Sequence, residues 1–156
     1  MPDSRPTPRL ALSTRVAGVS VVDAVYPAGH EYPYHCDGHP RISIVLGGSL
    51  REEARGQDVT ASAASVVVKP ADVRHRNVFG PQGARLLSVV APAPLLKGHD
   101  GWGLDRWRWH HAGSVGRAAL QFVHSVRTAP EDAEDGLWDL LGSVTSAQRL
   151  VGPIPS

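Results

Sequence analysis

The stretch Tyr34-His-Cys-Asp-Gly-His-Pro-Arg-Ile-Ser-Ile-Val-Leu-Gly-Gly-Ser-Leu-Arg-Glu52 joins a histidine-rich loop to an aliphatic run that stops at two glycines. Ile42–Leu46 is bounded by Pro40 and by Gly47-Gly48, as a short β-strand should be. Ser65-Val-Val-Val-Lys-Pro-Ala-Asp-Val-Arg-His-Arg-Asn77 repeats the plan: an aliphatic run, a proline turn, then a histidine. Val19–Tyr26 and Leu86–Val90 are further runs of the same kind, and strand-like character extends from Leu10 to about Val90. Pro27-Ala-Gly29, Asp37-Gly38, Arg55-Gly56 and Gly80-Pro-Gln-Gly83 punctuate it with turns. Short strands at this spacing, with no helical period between them, build a sandwich or barrel; a parallel βαβ sheet needs helical crossovers.

The chain has 156 residues, enough for one domain. Hydrophobic residues at 42% and charged residues at 20% argue for a packed globule and against disorder. A net charge of +1 gives no bulk attraction to nucleic acid or anionic membrane. The lone cysteine, Cys36, excludes an internal disulfide and a cysteine-based zinc finger. The start shows no signal core and no apolar run reaches transmembrane length, so the expected location is the cytoplasm.

Residues 1–8 read as a proline-containing lead-in, 9–112 as the barrel and 113–151 as a helix pair. The barrel region ends in a connector that carries Trp102, Trp107 and Trp109. After Ser114 the period changes: Val115, Ala118, Ala119, Phe122, Val123 and Val126 fall on one helical face. Pro130 with Glu131 and Asp132 restarts a second helix, whose stripe is Leu137, Leu140, Leu141 and Val144. Phe122 and Leu141 are the expected central contacts of that pair.

Three of the eight histidines, His30, His35 and His39, lie within ten residues, and His75 follows the second strand. Alternate residues of an extended segment share a face, so His35 and Asp37 project together. With His75 they make a two-histidine, one-carboxylate set suited to Fe(II) and related divalent ions. With His39 in third place the set is three imidazoles, suited to zinc, copper, nickel or iron. The plain reading stands beside this: a histidine in a glycine-proline loop is commonly solvated, and Asp37-Gly38 is a common turn pair. His110, His111 and His124 read as structural or surface residues.

These segments resemble the two motifs of the cupin superfamily. Tyr34–Glu52 resembles the first, histidine, any residue, histidine, then a strand ending in glycine; Ser65–Asn77 resembles the second. The closer resemblance is to the sensor domain of AraC-type transcription regulators. It rests on the Gly48–Glu52 step, the Arg85 strand after Phe79-Gly80 and the two C-terminal helices. The resemblance implies a mainly β cupin barrel, a double-stranded β-helix or jelly roll, followed by two α-helices. It also implies a small organic ligand and a homodimer made through the helices. The chain departs from the motif in four places: Asp37 takes the second histidine position, Pro40 or Arg41 the glutamate, and Ala64 or Ser65 and Asp72 two glycines. His35 and His75 carry over directly as metal ligands, Asp37 only as a substitute, and Arg41 becomes a candidate for holding an anion. AraC-type regulators read DNA through helix-turn-helix units; neither helix here is basic enough for that, so no direct nucleic-acid contact is expected.

If His35 and Asp37 face inward, then Arg41, Ser43 and Val45 follow, with Ile42 and Ile44 packed outside. On the later strand Val66 and Val68 are expected to share the face of His75 and Asn77. Two functions result. The first is a small-molecule, metal-binding sensor acting in transcription regulation. The second is a stand-alone cupin metalloenzyme, an oxygenase, isomerase or cyclase, with His30, Glu31 or Tyr34 moving protons.

Overall fold

The computed structural model describes residues 7–92 and 104–149. Most of the expected lead-in, the part of the connector that holds Trp102, and the Gly152–Ser156 tail lie outside the described residues.

Among the described residues, eight strands form one rolled antiparallel sheet: β1 (Arg9–Val16), β2 (Val19–Tyr26), β3 (Glu31–His35), β4 (Arg41–Ala54), β5 (Gln57–Ser62), β6 (Val66–Lys69), β7 (His75–Val90) and β8 (Arg108–His110). The order is β1-β2-β7-β4-β6-β8, with β3 on β7 and β5 on β4. The aliphatic runs expected at Ile42–Leu46 and Leu86–Val90 are halves of the two long strands β4 and β7, which pair along almost their whole length.

Both long strands bend where they meet. The ladder shifts between Val45 and Gly47 and again between Gly48 and Leu50, opposite the Gly80–Gly83 segment. Gly48 has φ +71°, and a Cβ there would stand 2.0 Å from the Gly83 carbonyl oxygen; Gly83 has φ +70°, and a Cβ there would stand 2.2 Å from the Tyr26 carbonyl oxygen. Only glycine permits this backbone approach. The irregularity reverses the alternation of side chains in each strand. Arg41, Ser43 and Val45 face the interior before the bend in β4, and Leu50 and Glu52 after it; in β7 the sets are His75, Asn77, Phe79 and then Ala84, Leu86, Ser88.

The opposite face of the same strands seats the helices α1 (Ser114–Thr128) and α2 (Ala133–Arg149), joined by a 3₁₀ turn at Pro130–Asp132. Ile42, Ile44, Leu87 and Val89 pack there with Phe122, Leu137, Leu140 and Leu141 in one core. Val66 and Val68 belong to this outer core, which corrects the expectation that they face the cavity. In the β4–β6 ladder Val68 opposes Ile42 and Val66 opposes Ile44, while Lys69 opposes Arg41 and Val67 opposes Ser43. Directly opposed residues share a face, so it is Val67 and Lys69 that point inward. No helix among the described residues is long and apolar enough to cross a membrane.

An ion cluster around one buried carboxylate ties α1 to the barrel. Asp23 continues the outward face of Val19 and Val21 and is 1% exposed. Arg85 donates to both its oxygens at 2.9 Å, and Arg127, in the last turn of α1, donates to Oδ2 at 3.1 Å. Burial works to raise the Asp23 pKa, but these hydrogen bonds and charges outweigh it and hold the carboxyl below its ordinary value.

Two of the glycine departures keep a left-handed backbone: Ala64 has φ 72° and Asp72 φ 63°. Such a conformation costs a non-glycine residue about 1–2 kcal/mol, partly offset by glycine's greater loss of freedom on folding. Ala64→Gly is therefore expected to raise the unfolding free energy by about 0.5–1 kcal/mol in urea titrations. Phe122 is fully buried between α2 and the sheet, and Phe122→Ala is expected to lower that free energy by about 3–5 kcal/mol.

Candidate metal and ligand site

The interior-facing residues leave a cavity of about 290 Å³ lined by polar groups from β3, β4, β6 and β7 over an apolar floor that includes Phe79 and Leu86. His35 and His75 are opposed residues of β3 and β7, and their rings stand 4.2 Å apart. Asp37 follows in the turn before β4, and its backbone carbonyl accepts from the Asp72 amide at 2.8 Å, tying that turn to the one before β7.

Nε2 of His35 is 3.8 Å from Asp37 Oδ1 and Nε2 of His75 is 3.4 Å from Oδ2. The three ligand atoms lie within 4.8 Å of one another. Each ring has its other nitrogen committed: His35 Nδ1 is 2.8 Å from the Pro33 carbonyl and His75 Nδ1 is 2.9 Å from the Val73 carbonyl. A carbonyl only accepts, so Nδ1 carries the proton in both rings and each Nε2 lone pair faces Asp37. Metal-bound histidines are oriented by this kind of second hydrogen bond. The set fits a divalent ion.

His75 is 2% exposed, and burial is the main cause that lowers its pKa, helped by the charge of Lys69. The ring is thereby held neutral, the form that ligates.

The expected alternative third ligand, His39, is exposed and stands outside the group. Arg41 and Ser43 line the cavity, Val45 packs in the apolar cluster beneath it, and Asn77 is a lining residue. The three candidate proton carriers are elsewhere. His30 packs on the rings of Tyr26, Tyr32 and Phe79 without lining the cavity, and Glu31 is exposed. Tyr34 is 46% exposed and donates to Glu53 at 2.7 Å on the outside of the barrel. The cause is an irregular β3. Tyr32 opposes Asn77 and His35 opposes His75, so Pro33-Tyr34 holds an extra residue, and the alternation breaks at the residue that has no N–H to give the ladder.

Sequence reasoning missed an inner ion pair. Lys69 Nζ lies 2.7 Å from Glu52 Oε2, and Asn77 Nδ2 donates to the same oxygen at 2.7 Å. Glu52 is 1% exposed, and its Oε1 has no hydrogen-bond partner among the described residues. Trp107 from the connector rests on both His75, ring centroids 4.9 Å apart, and Lys69, 5.4 Å away. A signal for Lys69 was present: it is one of two lysines against fourteen arginines, and it closes a run of valines.

No protein-family model matches the sequence, and no curated protein matches it. Solved structures do. The cupin domain of Cnp3 from Schizosaccharomyces pombe aligns over 62% of this chain and 73% of its own, at 19% identity and a TM-score of 0.50. The barrel has the cupin fold. The AraC-like transcriptional activator CuxR matches barrel and helices together, over 92% of the chain, at 13% identity and a TM-score of 0.69. The chain described here spans 56% of that activator's length. A structural-genomics protein of unknown function from Rhizobium leguminosarum bv. viciae 3841 aligns over 57% of this chain and 85% of its own, at 22% identity and a TM-score of 0.51. The likeness is one of fold; the site stands on its own geometry.

The buried histidines make stability depend on pH. His110 on β8, like His75, has its pKa lowered first by burial. The unfolded chain takes up protons at both rings near the ordinary value of 6.5, whereas the folded chain resists until lower pH. Acid therefore favours unfolding. Metal-free protein is expected to lose stability as pH falls from 7.5 to 5.5, and the slope is expected to flatten when His75→Asn and His110→Gln are combined, as read by urea titration at each pH.

Proposed function

We propose that this cupin binds one divalent metal ion through His35, Asp37 and His75, admits a small organic molecule to the cavity beside it, and signals occupancy through its helix pair as a sensor of the AraC type. The observation that carries the reading is the convergence of two oriented Nε2 atoms and one carboxylate on a single point of a polar cavity. Three protein ligands leave coordination positions for a ligand or water, and the donor set suits Fe(II), Zn(II), Ni(II) or Cu(II).

The sensor reading has a second support in the sheet itself. Arg41, Ser43, Leu86 and Ser88 line the cavity, while their neighbours Ile42, Ile44, Leu87 and Val89 seat the helices. Any ligand-driven shift of β4 or β7 is felt on both faces, because close-packed cores do not absorb displacement locally. The metalloenzyme reading has less to rest on, since His30, Glu31 and Tyr34 are not lining residues of the cavity. A homodimer through the helices belongs to the same proposal, and sedimentation velocity at micromolar concentration tests it: a monomer with intact helices removes the dimer.

The metal is tested directly. After incubation with each of the four ions and desalting, elemental analysis of wild-type protein is expected to give one equivalent. His75→Ala should abolish uptake and Asp37→Ser should weaken it at least tenfold, while His39→Ala should leave it unchanged, with circular dichroism confirming that each variant is folded. Wild-type protein that stays metal-free with all four ions overturns the reading.

A further inference from the structure

The cavity contains more positive charge than its own carboxylates can answer once an ion is bound. Arg41 and Lys69 are opposed residues of β4 and β6 and both line it. The charge of Lys69 is matched by buried Glu52 at 2.7 Å. Arg41 has a different situation. Its Nη2 is 3.4 Å from Asp37 Oδ1, the same carboxylate that faces both histidines, and its Nε is buried without a hydrogen-bond partner among the described residues. When Asp37 serves a divalent ion, one negative charge faces three positive ones, because the imidazoles are neutral ligands. Uncompensated charge in a partly desolvated cavity is costly, and a neutral ligand would leave it so.

We infer that the ligand of this cavity is a small organic carboxylate, held by the Arg41 guanidinium. The inference rests on the metal-and-ligand reading given above and adds the chemical class. A guanidinium presents a planar fork that matches a carboxylate, and Arg41 is a lining residue of the cavity. Ser43 Oγ and Ser88 Oγ, 3.1 Å apart and both lining, offer hydroxyls to further polar groups of the acid. Tyr26, Phe79 and Leu86 accept its carbon skeleton. A volume of about 290 Å³ lies at the lower end of the roughly 300–1,000 Å³ usual for small-molecule sites, so the acid is metabolite-sized.

The test uses Zn(II)-loaded protein, with metal content measured before any acid is added. Malonate, malate, 2-oxoglutarate and benzoate are titrated by calorimetry, each against its neutral methyl ester. At least one acid is expected to bind ten times tighter or more than its ester. Arg41→Met should then weaken that acid about 10- to 100-fold, the range of a hydrogen bond to a charged group, while zinc content stays at one equivalent. Arg41→Lys, which keeps the charge and loses the fork, is expected to fall between the two. Acids that bind no better than their esters, or that bind Arg41→Met as well as wild type, overturn the inference. If zinc is not taken up, whichever of the other three ions is bound replaces it; a protein that takes up none of the four overturns the reading beneath it, and elemental analysis tells the two failures apart.

Discussion

The close passage of Gly48 over Gly83 is the constraint on which the interior depends. The backbones of β4 and β7 approach there at a distance that leaves no room for a Cβ, and both glycines adopt a left-handed φ. The approach bends both long strands at the same level, and the ladder there gains one extra residue on β4 and three on β7. Without the shift, strict alternation would turn Glu52 away from the face of Arg41, and His75 and Asn77 away from the face of Leu86 and Ser88. A regular antiparallel pair of this length would carry its two polar ends on opposite faces. The bent one closes around a cavity whose polar lining comes from both halves of each strand.

Polar groups inside a small barrel need partners, and the interior supplies them in two connected sets. Glu52 and Lys69 neutralise one another, Asn77 donates to the same carboxylate oxygen, and Trp107 covers the ammonium. Such a buried pair adds little net stability relative to apolar packing, but losing one member strands the other's charge. The other set turns on Asp37, which faces His35, His75 and Arg41 from a single carboxylate. A carboxylate and two imidazole lone pairs converge there with only the Arg41 guanidinium as a donor among these four side chains, which leaves the corner short of positive charge until a cation is bound. The substitution of aspartate for the histidine of the cupin pattern thus changes the charge of the site as well as its donor atom.

The outer face carries a separate piece of electrostatics. Asp23 joins β2 to Arg85 of β7 and to Arg127 at the end of α1. A cation in the last turn of a helix also answers the negative end of the helix dipole. The cavity and the helix seat lie on the two faces of the same strands, and the Asp23 cluster ties the end of α1 to β2 and β7.

Much of this was legible in local patterns. The aliphatic runs bounded by turns foretold strands because β-branched residues fit a pleated, half-buried surface, and the change of period after Ser114 foretold the helices. His35, Asp37 and Arg41 were readable as one inward face because they are close in sequence and the chain between them is extended. What only the tertiary structure decided lies where alternation breaks or where strands distant in sequence meet. The irregularity at Pro33-Tyr34 sends Tyr32 inward and Tyr34 out; the glycine bend carries Glu52 inside; the ladder with β4 assigns Lys69, not Val68, to the cavity. A period of two predicts faces only while the ladder is regular, and the register between strands thirty residues apart is set by packing that no local pattern records.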